Sequence, residues 1–186
     1  AIQLLMFCFS ERCPDVRHVV SGKRLETVYG ESTDEVESVA LSPDGNTLAF
    51  GTYDGEVWLW DLTEEEIAHV FEGHTYPVFS IDFSPDGQIL ASGARDGTVR
   101  FWDTLDGDLL QIGEKYKGNR SLVGTIYDIA FSPKGDVVAS ASRDNLVQLW
   151  DVATGELLSN LEGHLSSVYD VAFSQNGSIL FSGSRD

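Results

Sequence analysis

The sequence predicts an all-β fold built from small antiparallel sheets laid one after another along the chain. Three observations carry this. Apolar residues alternate with polar ones over short runs, as in Val78–Phe83 and Thr98–Asp103, which is strand periodicity and not helical periodicity. Short turns rich in Pro, Asp, Asn and Gly separate the runs. The pattern also recurs: a serine follows the first strand of each unit at Ser42, Ser84, Ser132 and Ser174, at intervals of 42, 48 and 42 residues.

Each unit can be read strand by strand. The first strand and turn of the four units start at Val36, Val78, Ile126 and Val168. Ser-Pro-Asp-Gly at 42–45 and 84–87, Ser-Pro-Lys-Gly at 132–135 and Gln-Asn-Gly at 175–177 close the first hairpin. Proline presets φ there, and glycine takes the positive φ of a tight turn. Asp-Gly at 54–55 and 96–97 marks a second hairpin. Three units continue into a strand ending Trp60-Asp61, Trp102-Asp103 or Trp150-Asp151.

The predicted units are four-stranded meanders at 36–71, 78–113 and 126–161, followed by half a unit at 168–186. Residues 1–35 read as a clipped or degenerate unit whose last two strands fall at about 16–28, with Val19 in the tryptophan position. The opening AIQLLMFCF reads either as a clipped strand or as a signal-peptide core, and it lacks a basic leader and a cleavage site. The longer third step falls in a loop carrying Lys115, Lys117 and Arg120.

Composition narrows the function. With 42% hydrophobic and 11% aromatic residues, the 186-residue chain can fill a packed core. Against 30 acidic residues stand 12 basic ones, for a net charge of −18. That field disfavours nucleic acid and anionic membrane surfaces as partners. Two cysteines, Cys8 and Cys13, make no disulfide framework, and a cytoplasmic protein is expected. The four histidines show no metal-ligand spacing and there is no phosphate-cradling glycine loop, so neither metal nor cofactor is expected.

One such sheet buries little by itself. Strands apolar on both faces need neighbours on both faces, which radial stacking supplies in a β-propeller of four-stranded blades.

The sequence resembles the WD-repeat propeller family over residues 36–186. Gly73-His74, Gly163-His164, the Ser-Pro-Asp-Gly turns, Ala-Ser-Gly-Ala-Arg-Asp at 91–96 and the three Trp-Asp pairs stand in that family's order. The resemblance bears on a constellation that could suggest catalysis: Ser92, His74 and Asp96. In the family such residues form a hydrogen-bonded chain inside the blade with the strand-three tryptophan, here Trp102. A structural network of His74, Ser92, Asp96 and Trp102 is therefore expected. Partial networks are expected at Asp54 and Trp60 (with Ser32 and Phe50 in the histidine and serine positions), and at Ser140, Asp144 and Trp150 (with Leu122 for histidine). The last half-unit offers His164, Ser182 and Asp186.

The resemblance also implies a non-catalytic platform that binds a protein or peptide on the face around the channel. Two rim positions recur per blade: Phe79, Tyr127 and Tyr169, with Glu37 in the first unit; and Tyr53, Arg95, Arg143 and Arg185. Aromatic and arginine side chains dominate binding hot spots. The arginines read either as a grip on a partner's carboxylate or phosphate, or as clamps onto Asp82, Asp128 or Asp170. The aromatics read either as contact residues or as packing. The alternative function is a regulatory or targeting module of a larger protein whose catalytic domain, a kinase or an ATPase, lies elsewhere. Family propellers usually have seven blades, so a piece of a longer chain is expected, with an incomplete or open ring. A composite sheet from the two ends could instead close a ring of four or join two chains, and open strand edges would invite self-association.

Overall fold

The computed structural model describes residues 35–114 and 124–186 throughout, and the backbone of three further strands at 4–7, 15–18 and 24–27. Val19, Ser32, Leu122 and the Lys115, Lys117 and Arg120 patch lie outside the described residues.

The described chain is all-β. Strands β1 (Leu4–Phe7), β2 (Asp15–His18) and β3 (Arg24–Thr27) form a three-stranded sheet. Three four-stranded meanders follow. The first holds β4 (Val36–Leu41), β5 (Thr47–Thr52), β6 (Val57–Asp61) and β7 (Glu66–Phe71). The second holds β8 (Val78–Phe83), β9 (Ile89–Ala94), β10 (Thr98–Asp103) and β11 (Leu109–Glu114). The third holds β12 (Ile126–Phe131), β13 (Val137–Ser142), β14 (Val147–Asp151) and β15 (Leu157–Leu161). Strands β16 (Val168–Phe173) and β17 (Leu180–Ser184) make a two-stranded sheet.

Among the described residues, three hydrophobic cores lie between sheets, while a fourth, of Leu48, Phe50, Trp58 and Trp60, belongs to the first blade alone. Ala49, Val57, Leu59 and Phe71 of the first blade pack on Val78, Ile81, Phe83, Leu90, Ala94 and Trp102 of the second. The other face of the second blade gives Ala91, Val99 and Phe101 to a core shared with Ile126, Ile129, Phe131, Val138 and Trp150 of the third. Ala139, Ala141 and Val147 then meet Val168 and Val171 of β16. Strand alternation is what makes this possible: neighbours such as Leu90 and Ala91 point to opposite gaps. The ring of Phe71 stacks across one gap on Trp102, with centroids 5.1 Å apart.

Small residues on the second strand of each blade set how closely the next blade's first strand approaches. A Cβ built on Gly93 would lie 2.6 Å from Cγ2 of Ile126 and 2.9 Å from Cγ2 of Ile129. Only a residue without a side chain leaves room for β12 there.

The first strand of each blade is a sheet edge, and the preceding blade supplies partners for it. Asp82 Oδ2 accepts from the Phe131 amide at 2.8 Å. The Ser80 hydroxyl donates to Asp128 Oδ1 at 2.8 Å and accepts from the Ile129 amide at 3.1 Å. Asp128 Oδ2 in turn accepts from the Val171 amide at 2.9 Å, and the Ser38 hydroxyl donates to the Val78 carbonyl at 2.9 Å. These bonds satisfy ladder groups that no strand pairs, and they tie blade to blade.

Candidate functional site: the blade network and the inner-strand face

In the second blade the expected chain of hydrogen bonds is present. The Trp102 indole N–H donates to Ser92 Oγ at 2.8 Å, and Ser92 Oγ lies 2.8 Å from His74 Nε2. His74 Nδ1 lies 3.0 Å from Asp96 Oδ2. The partners assign the tautomer: the Ser92 hydroxyl donates to Nε2, so Nδ1 carries the hydrogen that Asp96 accepts. Sequence reasoning missed Thr98, whose hydroxyl lies 3.1 Å from His74 Nδ1 and donates to Asp96 Oδ1 at 2.7 Å. The amides of Thr75 and Thr98 also donate to Asp96.

Burial sets the charges. Desolvation pushes the His74 pKa below its ordinary value, and the hydrogen bond and charge of Asp96 offset this only in part. Burial alone would raise the Asp96 carboxyl, but the His74 ring and the Thr98 hydroxyl and amide outweigh it and hold the group well below the usual carboxylate range. Ser92 is 0% exposed and His74 6% exposed, so solvent does not reach the serine oxygen.

The other blades carry parts of the same device. In the third, the Trp150 indole donates to Ser140 Oγ at 2.8 Å, and Asp144 Oδ1 accepts from the Leu146 amide. Beside β16, His164 lies 2.8 Å from Ser182 Oγ and 3.0 Å from Asp186 Oδ1, in a more exposed setting. In the first, Phe50 fills the serine position and stacks on Trp58 at 5.9 Å, offering Trp60 no acceptor, while Asp54 stays in its turn.

The rim residues sit on an unforeseen feature. Every inner strand is bulged at one place: the pairing with its neighbour shifts between Val36 and Ser38, Val78 and Ser80, Ile126 and Asp128, and Val168 and Asp170. The skipped residues are Glu37, Phe79, Tyr127 and Tyr169. A bulge re-aims the side chain it carries. Here three of these side chains form a ladder from blade to blade. Phe79 and Tyr127 stack at 6.1 Å, and Tyr127 and Tyr169 at 4.8 Å.

The second rim set is anchored two residues before these rungs. The Arg95 amide donates to the Pro77 carbonyl, that of Arg143 to Thr125, and that of Tyr53 to Glu35. The Thr125 hydroxyl reaches the Arg95 carbonyl at 3.5 Å, and that of Ser167 reaches the Arg143 carbonyl at 3.1 Å. The Arg95 guanidinium lies 6.0 Å from the Tyr76 ring centroid. Arg143 and Arg185 are exposed, as are Tyr53 and Tyr169 at 49% and 40%. Among the described residues no ion pair joins Arg95, Arg143 or Arg185 to Asp82, Asp128 or Asp170. Asp82 and Asp128 spend their oxygens on Ser80 and on backbone amides of the next blade. Among the described residues no group of three or more His, Cys, Asp or Glu side chains is placed to hold a metal ion.

Stacked four-stranded meanders with a buried His-Ser-Trp-Asp chain define the class as a repeat propeller. The chain belongs to the family described as WD domain, G-beta repeat, which it matches at residues 14–61, 65–103, 115–151 and 155–186. It is also similar to a WD repeat-containing protein VIP3 of Arabidopsis thaliana, at 44% identity over 43 residues, about one repeat. That match covers 23% of this chain and 13% of the relative.

Proposed function

We propose that this chain is a non-catalytic interaction platform that takes a protein or peptide on the face bearing the Phe79, Tyr127 and Tyr169 ladder. WD repeats point to an interaction scaffold and the family is generally non-catalytic. The observation that carries the choice of face is the repeated bulge, which puts an aromatic rung on the first strand of three successive sheets, two residues past the carbonyls that hold the Arg95 and Arg143 amides in the first two of them. The ladder joins large apolar rings to exposed guanidinium groups, the mixture on which interfaces concentrate their energy. The buried Ser92 supports a structural role for the network, since a nucleophile must meet its substrate.

The test compares partner capture with thermal stability. Tyr127→Ala and Arg143→Ala should lose captured partners while melting as the parent does. His74→Ala should lower the melting temperature. If the rim variants retain every partner, this face is the wrong one.

A further inference from the structure

The platform reading leaves the partner's chemistry open, and the charge on this face narrows it. Resting on that reading, we propose that the face takes an extended peptide segment whose acidic residues, spaced at every second position, lie over the sheets of β8–β11, β12–β15 and β16–β17.

The spacing follows from the ladder. Successive rungs stand 6.1 and 4.8 Å apart, and the Arg95 and Arg143 backbones are pinned two residues before the Phe79 and Tyr127 rungs. An extended chain rises about 3.3 Å per residue, so alternate side chains recur at about 6.6 Å. The peptide's alternate side chains thus keep step with the rungs: lying between the two rows, it would turn its acids to the side of Arg95, Arg143 and Arg185 and the residues between them to the side of the aromatic rings.

The cations are available. Four neighbouring carboxylates are already engaged, Asp96 with His74 and Thr98, Asp186 with His164 and Leu165, and Asp82 and Asp128 with the next blade, while Asp170 beside Tyr169 is exposed. The chain's net charge of −18 opposes an acidic ligand at a distance. Screening confines that opposition to about 8 Å at physiological ionic strength, so contact with Arg95, Arg143 and Arg185 decides the affinity. The polarity reverses at the first blade, where the exposed Glu37 takes the rung position and Tyr53 the arginine position. Acidic residues are disfavoured there.

The experiment uses the whole chain and a labelled peptide alternating Asp or Glu with Tyr or Leu, read by fluorescence anisotropy. Companion peptides carry Asn and Gln, Lys, or one phosphoserine in place of the acids. The acidic peptide should bind on the order of tenfold tighter than its amide version, and Arg143→Glu should remove that difference. Glu37→Arg should tighten binding of the acidic peptide several-fold, a gain that a merely structural role for Glu37 would not produce. Tyr127→Ala should weaken the acidic and amide peptides alike. Equal binding of acidic and amide peptides, with Tyr127→Ala still harmful, overturns the acid preference and leaves the platform standing. Tighter binding of the Lys peptide, binding of the phosphorylated peptide alone, or no binding of any peptide overturns the preference too. Peptide binding that ignores both Tyr127→Ala and Arg143→Glu overturns the choice of face itself.

Discussion

Trp102 donates its indole hydrogen to Ser92 at 2.8 Å, and Trp150 does the same to Ser140 at 2.8 Å one blade later. The two serines are equally buried, but only Ser92 also faces a histidine. Removing the hydroxyl in Ser92→Ala leaves both the Trp102 N–H and His74 Nε2 without partners. Each orphaned buried group costs about 1–3 kcal/mol. Ser140→Ala is expected to orphan the Trp150 indole. Chemical denaturation should therefore show Ser92→Ala as the more damaging of the pair.

His74 gives the protein an acid-sensitive seam. The folded chain binds the His74 proton only below the ordinary value of 6.5, because burial disfavours the cation. Just below that value the unfolded chain holds more protons, so stability rises with pH. The contribution is complete above about pH 6.5 and is lost as the pH falls through the folded value. Asp96 has the same sign: its contribution is present above the ordinary 3.8 and lost in stronger acid. Urea denaturation across mildly acidic pH should show this slope, and His74→Gln should flatten it.

Asp82 behaves in the opposite sense. Burial raises its pKa, against the pull of the Phe131 and Phe83 amides. The folded chain thus holds the proton above pH 3.8, and ionisation costs stability as the pH rises through that window. Asp82→Asn keeps an oxygen for the Phe131 amide and removes the charge. At neutral pH it should melt at or slightly above the parent temperature, whereas Asp82→Leu, which strands the amide, should melt lower by about 1–3 kcal/mol of stability.

Gly93 faces the first strand of the third blade. Gly93→Ala puts a methyl group where Cγ2 of Ile126 already lies 2.6 Å away, and overpacking of this kind costs about 1–3 kcal/mol. Ile126→Ala should relieve part of that cost, so the double variant should lose less than the sum of the two single losses. Additive losses would show that the two residues do not meet.

Among the described residues two turns carry a left-handed residue that is not glycine: Glu65 at φ 58° and Asn145 at φ 70°. Glycine stands at the corresponding turns, Gly107 at φ 78° and Gly97 at φ 81°. Glu65→Gly should raise stability by up to about 1 kcal/mol, and Asn145→Gly by less, because asparagine tolerates this conformation better than glutamate. Thermal melts of the two variants check the order.

The meanders and the His74 network were legible because the repeat multiplies each weak signal, so that turns and tryptophans confirm one another. The inner-strand bulges were not. A bulge adds one residue to a strand and leaves no mark in composition, so Phe79 and Tyr127 could be placed at the rim but not stacked. The role of Asp82 and Asp128 was also hidden. Sequence suggests an arginine for a buried aspartate, but the unpaired edge amides of the next blade are closer. Thr98 escaped notice because a threonine beginning a strand is common, and only its hydroxyl's reach to Asp96 makes it part of the network.

Each apolar core between blades is the joint property of two neighbouring sheets. A cleavage between Phe71 and Val78 would therefore not release two finished halves. It would leave Phe71 on one side and Trp102 on the other, each shorn of its stacking mate. Nicked halves should cling together or clump, and recombination among such proteins succeeds only when a newcomer brings the matching half of the joint.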